Sequence, residues 1–124
     1  MAIRGLCRVR VSGWPANAFL GMFVSGSSTT EAQVQQPMPV PGTLKNFTVR
    51  LDAALSGATS IAYTVRKNGI ATTLTCTITT ASAALTFSDV THTVAFVAGD
   101  LISIGTARTG NVAAQGTRWT AQYQ

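Results

Sequence analysis

Apolar and polar residues alternate along most of this chain. Cys7, Val9 and Val11 share one parity while Arg8, Arg10 and Ser12 share the other. Phe47, Val49 and Leu51 alternate with Asn46, Thr48, Arg50 and Asp52, and Ile61, Tyr63 and Val65 with Ala62, Thr64 and Arg66. Ile70, Leu74, Cys76 and Ile78 alternate with Thr73, Thr75, Thr77 and Thr79; Trp119, Ala121 and Tyr123 with Arg118, Thr120, Gln122 and Gln124. Successive side chains of a strand point to opposite faces, so each run predicts a strand with one face on a core. Shorter candidates at 19–25, 84–87, 91–97 and 101–106 bring the total to about eight or nine strands. No segment carries an apolar period of 3.6 long enough for a helix, and a single turn near 53–56 is the most the pattern allows.

The connections support the same reading. Asn68-Gly69 stands between two alternating runs, and both residues accept positive φ, which predicts a type I′ hairpin. Ala98-Gly99-Asp100 reads as a second turn between strands. Pro37, Pro39 and Pro41 alternate and remove backbone donors, which predicts an extended surface loop or arm. The expected organisation is one domain over 1–124, with N-terminal strands and a proline-rich arm in 1–41 and a regular sheet core in 42–124. The expected fold class is all-β: an antiparallel, jelly-roll-like β-sandwich.

Composition narrows what such a domain does. A chain of 124 residues encloses a core without metal or disulfide staples. Apolar residues make up 46% and charged ones 10%, against roughly 25% charged in ordinary soluble domains, which excludes intrinsic disorder. So little ionic surface points to a chain that hides its outside against copies of itself or a larger assembly. The net charge is +5, but the arginines are scattered and not interleaved with aromatics, so protein contact ranks above nucleic acid. The longest apolar stretch, 18–24, is about a third of a bilayer span, and no apolar core follows Arg4, Arg8 and Arg10. Neither a membrane segment nor a signal peptide is expected, and synthesis in a cytoplasm is.

Candidate chemistry is sparse. The carboxylates are Glu31, Asp52, Asp89 and Asp100, with Asp89 and Asp100 reading as turn residues. His92, between Thr91 and Thr93, reads as a hydrogen-bonded surface or edge histidine rather than a base. No nucleophile elbow, phosphate loop or metal-ligand spacing occurs, so no catalytic, cofactor-binding or metal-binding residue is predicted, and the chain is not expected to be an enzyme. Asn46-Phe47-Thr48 matches a glycosylation sequon but falls on a strand whose Phe47 reads as core. Cys7 and Cys76 read either as separate buried thiols, which a reducing cytoplasm favours, or as a disulfide. Trp119 and Tyr123 read as core. Trp14, in a Trp-Pro turn, is the aromatic best placed for partner or ligand contact.

From Gly42 onward the chain resembles the small jelly-roll modules of tailed-phage virion proteins. The resemblance is carried by Gly42-Thr43-Leu44 leading to Val49-Arg50-Leu51, by Tyr63-Thr64-Val65-Arg66-Lys67-Asn68-Gly69, by Leu74-Thr75-Cys76-Thr77-Ile78, by Ser88-Asp89 before Thr91-His92-Thr93-Val94, and by Ala98-Gly99-Asp100-Leu101-Ile102-Ser103-Ile104. Such modules are similar in outline to the trimeric tumour-necrosis-factor and complement-C1q type folds. The resemblance implies a homotrimeric virion component without catalytic residues, located in the virion. The short chain favours a capsid decoration (cement) protein bound to a major capsid protein or another virion protein. The alternative is a tail or fibre tip that binds a receptor or glycan; a cytokine-like or lectin-like cellular module ranks third. The candidate partner-contact residues are Arg4, Arg8, Arg10, Trp14, Pro37, Pro39 and Pro41. A threonine row (Thr73, Thr75, Thr77, Thr79) without charge would not oppose three-fold packing; a threonine ladder on an exposed sheet is the equal alternative.

Overall fold

The computed structural model describes residues 2–8, 17–22, 27–80, 85–112 and 116–124, the first of these through backbone pairing. Eight strands of four residues or more carry the architecture: β1 (Ala2–Arg8), β2 (Asn17–Leu20), β5 (Gly42–Leu51), β6 (Ser60–Lys67), β7 (Ile70–Thr79), β8 (Thr86–Phe96), β9 (Leu101–Thr109) and β10 (Gly116–Tyr123). Two two-residue strands, β3 (Ser27–Ser28) and β4 (Gln36–Pro37), add to one sheet. One sheet has the order β1-β10-β5-β8; the other runs β3-β2-β9-β6-β7, with β4 also paired to β9. Every pairing is antiparallel. With only the eight longer strands counted in chain order, the sheets read 1-8-3-6 and 2-7-4-5. That is the jelly-roll order: two Greek keys wound together so that, apart from the β6–β7 hairpin, long strands successive in sequence lie in opposite sheets.

Alternation builds the core. Phe47, Val49 and Leu51 of β5 meet Trp119, Ala121 and Tyr123 of β10, and opposite them lie Ile61, Tyr63 and Val65 of β6 with Ile102 and Ile104 of β9. The large polar-tipped rings find partners inside, as buried donors must. Tyr63 Oη lies 2.9 Å from Thr117 Oγ1, and Trp119 Nε1 donates to the Met22 carbonyl at 3.4 Å. Leu20, Met22, Val34 and Met38 belong to the same core cluster or its wall, so the described residues of 17–41 build the sandwich along with those from Gly42 on.

Three expectations change. The strands expected at 84–87 and 91–97 meet in one strand, β8 (Thr86–Phe96), which is interrupted by extra residues opposite Asn46 (φ +53); residue 84 lies outside the described residues. Asp89 therefore sits inside a strand irregularity rather than in a turn. The 53–56 segment forms a bend without helix, and the one short 3₁₀ turn among the described residues is Glu31–Gln33. Ile70 shares the parity of Leu74 but lies beyond the core, 71% exposed, because β7 carries extra residues opposite Val65 and runs past the sandwich at the hairpin. That hairpin turns as expected, with φ of +50 at Asn68 and +79 at Gly69.

Candidate binding surfaces

Glycine and asparagine turns bring three connections to one end of the sandwich, and Asp100 ties them together. Its Oδ1 accepts from Asn68 Nδ2 at 2.8 Å, and its Oδ2 accepts from the Val97 amide at 2.9 Å and lies 3.2 Å from Lys67 Nζ. The Val97 amide, the Asn68 side chain and Lys67 together outweigh a small burial cost and hold this carboxyl below its usual range. Asn68 Oδ1 in turn accepts from the Leu101 amide at 2.8 Å. The Met38 amide donates to the Asp100 carbonyl at 2.8 Å, the Gly99 amide to the Met38 carbonyl at 2.9 Å, and Tyr123 Oη to the Val40 carbonyl at 2.5 Å.

The proline segment is thus fastened along the sandwich by β4 and by buried Met38; it does not project as a free arm. Pro37, Pro39 and Pro41 are all exposed on this end. With them stand Val40 (50% exposed), Val97 (59%) and Ile70 (71%). Apolar side chains exposed on connections this firmly braced would lose little ordering entropy if a partner bound them.

The two outer faces differ. On the four-stranded sheet the register sets Arg118, Arg50 and Thr86 in one row, Thr120, Thr48 and Ser88 in the next, and Gln122, Lys45 and Thr93 in a third. Six of these nine side chains bond to one another or to near neighbours. Arg50 Nη1 donates to Thr86 Oγ1 at 2.8 Å, Thr48 Oγ1 lies 2.8 Å from Ser88 Oγ, Asn46 Nδ2 donates to Gln122 Oε1 at 2.8 Å, and Arg118 pairs with Asp52 at 3.2 Å.

On the six-stranded sheet the rows are Asn17-Ala107-Ala62-Thr77, Phe19-Gly105-Thr64-Thr75 and Ser103-Arg66-Ala71. The middle positions are too small to fill the space above the sheet. A shallow open depression of about 220 Å³ results, lined by Asn17, Phe19, Ala62, Thr64, Arg66, Ala71, Gly105, Thr106 and Ala107. The stem of Arg66 crosses Gly105, where a Cβ would come within 2.8 Å of Arg66 Cδ, and its Cζ lies 5.4 Å from the centre of the Phe19 ring. Glu31 accepts from Arg66 Nε at 2.8 Å and from Nη2 at 3.3 Å, and Ser103 donates to Glu31 at 2.7 Å. Partial burial opposes ionisation of Glu31, but Arg66 and Ser103 prevail and its carboxyl lies below the usual range.

The Asp89–His92 pair is the nearest approach to an acid–base couple. Asp89 is buried; its Oδ2 meets His92 Nδ1 at 2.8 Å and accepts from the Thr75 amide at 3.1 Å. Its Oδ1 accepts from the Thr91 amide, the Thr91 hydroxyl and the His92 amide, each at 3.1 Å. Burial works against the charge, but the Thr75 amide, the His92 ring and the other donors hold the carboxyl well below its usual range. Asp89 and Thr91 both approach the same ring nitrogen, so Thr91 does not stand where a triad's nucleophile would, at the opposite nitrogen. The cluster instead closes the β8 irregularity. Cys76 is a free buried thiol donating to the Phe47 carbonyl at 3.3 Å; burial, reinforced by the Asp89 charge, pushes it up to about 11 and leaves it inert. Among the described residues no three His, Cys, Asp or Glu side chains gather as a metal site would need.

Of the partner-contact residues predicted from sequence, Pro37, Pro39 and Pro41 share one end. Arg4 and Arg8 take register positions on β1 opposite Thr120 and Gly116, which places Arg8 toward the other end. Arg10 and Trp14 lie outside the described residues, as do the side chains of Arg4, Arg8 and Cys7. Sequence reasoning missed Val40, Val97 and the Phe19–Arg66 depression. For the depression a signal existed: Ala62, Gly105 and Ala107 are unusually small residues at outward positions of regular strands. No known family and no curated protein matches the sequence.

Proposed function

We propose that this protein is a structural subunit of a virion, a decoration protein that stabilises a phage head by binding its major capsid protein. The observation that carries this reading is the braced end on which Pro37, Pro39, Pro41, Val40 and Val97 stand exposed. All four side-chain carboxylates serve the fold: Glu31 holds Arg66, Asp52 holds Arg118, Asp89 closes the β8 irregularity and Asp100 braces the loop end. That commitment favours a binding and building role over catalysis. We further propose a homotrimer closed along the threonine row Thr73, Thr75, Thr77 and Thr79. This row is exposed on edge strand β7, so such a contact leaves the β2–β9–β6 part of the face open.

The test is binding to purified empty phage heads. Wild type should bind them and raise their resistance to heat; Val40→Asp with Val97→Asp should abolish binding while the far-UV spectrum stays unchanged. Failure of wild type to bind heads would overturn the decoration role, and binding to host cells instead would favour a receptor-binding tip. A monodisperse monomer at micromolar concentration in light scattering would overturn the trimer.

A further inference from the structure

The geometry points to the depression on the six-stranded sheet as a binding site for one ring of a neutral saccharide. Its shape comes first. Gly105, Ala62 and Ala107 leave about 220 Å³ open between the Asn17–Phe19 wall of β2 and the Thr64, Arg66 and Ala71 side. That is less than the roughly 300 Å³ at which drug-sized pockets begin, and it suits a single six-membered ring. The opening is wide and shallow, so a longer glycan could continue from the bound ring across the neighbouring sheet face.

The chemistry of the lining selects the ligand class. Phe19 is half-buried with the Arg66 guanidinium over its ring, 5.4 Å from the centre, so the part of the ring left uncovered is what meets the carbon-bound hydrogens of a sugar. Asn17 is exposed at the rim with an amide that both donates and accepts, and the Thr64 hydroxyl lies in the same row as Phe19. The guanidinium is bonded through Nε and Nη2 to Glu31 and through Nη2 to the Gly69 carbonyl, which leaves Nη1 as its directional donor, and its charge is balanced by the two oxygens of Glu31. A sheet position that showed an unpaired arginine would draw phosphates, sulfates or uronic acids. This one presents the Nη1 end of a guanidinium already paired with a carboxylate, a nearly neutral setting that favours hydroxyl and acetamido groups over anions. The pair is also held still: Ser103 fixes Glu31, Glu31 fixes Arg66, and the absence of a side chain at Gly105 lets the arginine lie flat across β9. Preorganisation of this kind lowers the cost of binding a small ligand.

The inference is independent of the decoration role, because the site lies on the sheet face and not on the proline-bearing end. The experiment is a titration of the full chain, followed by amide and arginine-Nε NMR shifts. Its ligands are methyl glycosides of neutral hexoses and N-acetylhexosamines, with glucuronate and sialic acid as anionic counterparts. At least one neutral glycoside should shift Phe19, Ala62, Gly105 and Arg66 with a dissociation constant on the order of 1 mM. Ala107→Leu, which fills the depression from an exposed position, should weaken binding roughly tenfold or more with the remaining spectrum unchanged, and Phe19→Ala should do the same. The proposal is overturned if no neutral glycoside shifts these residues at tens of millimolar, if only the anionic sugars bind, or if Ala107→Leu binds as wild type does.

Discussion

The two outer faces of the sandwich arise from the same period-two alternation and have opposite characters. On the four-stranded sheet the outward positions hold Arg50, Arg118, Thr48, Ser88, Lys45 and Gln122, long or hydroxylated side chains that mostly bond within the face. On the six-stranded sheet the central outward positions hold Ala62, Gly105 and Ala107, which bond to nothing and leave a hollow. A face whose polar groups satisfy one another has little to offer a partner. A face of small residues flanked by a ring, an amide and a braced guanidinium keeps its contacts in reserve.

The largest effect sets the interior against the faces: Asp89→Ala removes a carboxylate that turns inward from edge strand β8 to the Thr75 amide of the other sheet. It strands the donors now held by one buried carboxylate and should cost about 3 kcal/mol in urea unfolding. Thr73→Ala or Thr79→Ala on the six-stranded face should change stability by no more than about 0.5 kcal/mol. Equal losses at the two places would erase the distinction.

Acid is the next lever. The carboxyls of Asp89, Glu31 and Asp100 all sit below their usual range in the folded state, so on acidification the unfolded chain takes up protons first. The stability they contribute is complete above about pH 5 and is lost as the pH falls through the ordinary carboxylate range toward the folded values. For Asp89, denaturation midpoints should record a loss on the order of 2 kcal/mol between about pH 5 and pH 2. Asp89→Asn should flatten that profile more than Glu31→Gln, since Asp89 is the more deeply buried.

Gly105→Ala strikes the six-stranded face itself. The new methyl group would sit against Arg66 Cδ and push the guanidinium off Glu31, with an expected cost of about 1 kcal/mol and a lower acid sensitivity. A neutral outcome in both readouts would show that Arg66 does not need to lie flat. The smallest effect belongs to Arg50→Ala, an exposed partner of Thr86, at about 0.5 kcal/mol or less, because a solvated side-chain bond between strands is worth little.

How far the sequence could be read depended on the kind of interaction involved. Strand positions at 47–51, 61–65 and 119–123, and the Asn68-Gly69 turn, follow from local pattern and backbone sterics, and the structure repeats them. β8 was read as two strands because its parity changes across 90–92. Local alternation cannot show that one strand continues through an irregularity held by Asp89, whose partners include Thr75 on another strand. The proline segment was legible as extended and exposed. Its attachment was not, since the bonds that fasten it come from Asp100, Gly99 and Tyr123, all far along the chain.

Composition and alternation therefore determined an all-β sandwich with a buried aromatic and aliphatic core, because side-chain direction in a strand is a local property. Tertiary structure alone decided which outward residues became neighbours. Phe19, Gly105 and Thr64 lie in one row only because β2, β9 and β6 pair in that order and register. Glu31 reaches Arg66 and Ser103 only because the chain ahead of β4 folds over that sheet. Register and strand order depend on contacts between distant segments, and a face, unlike a strand, exists only once those contacts are made.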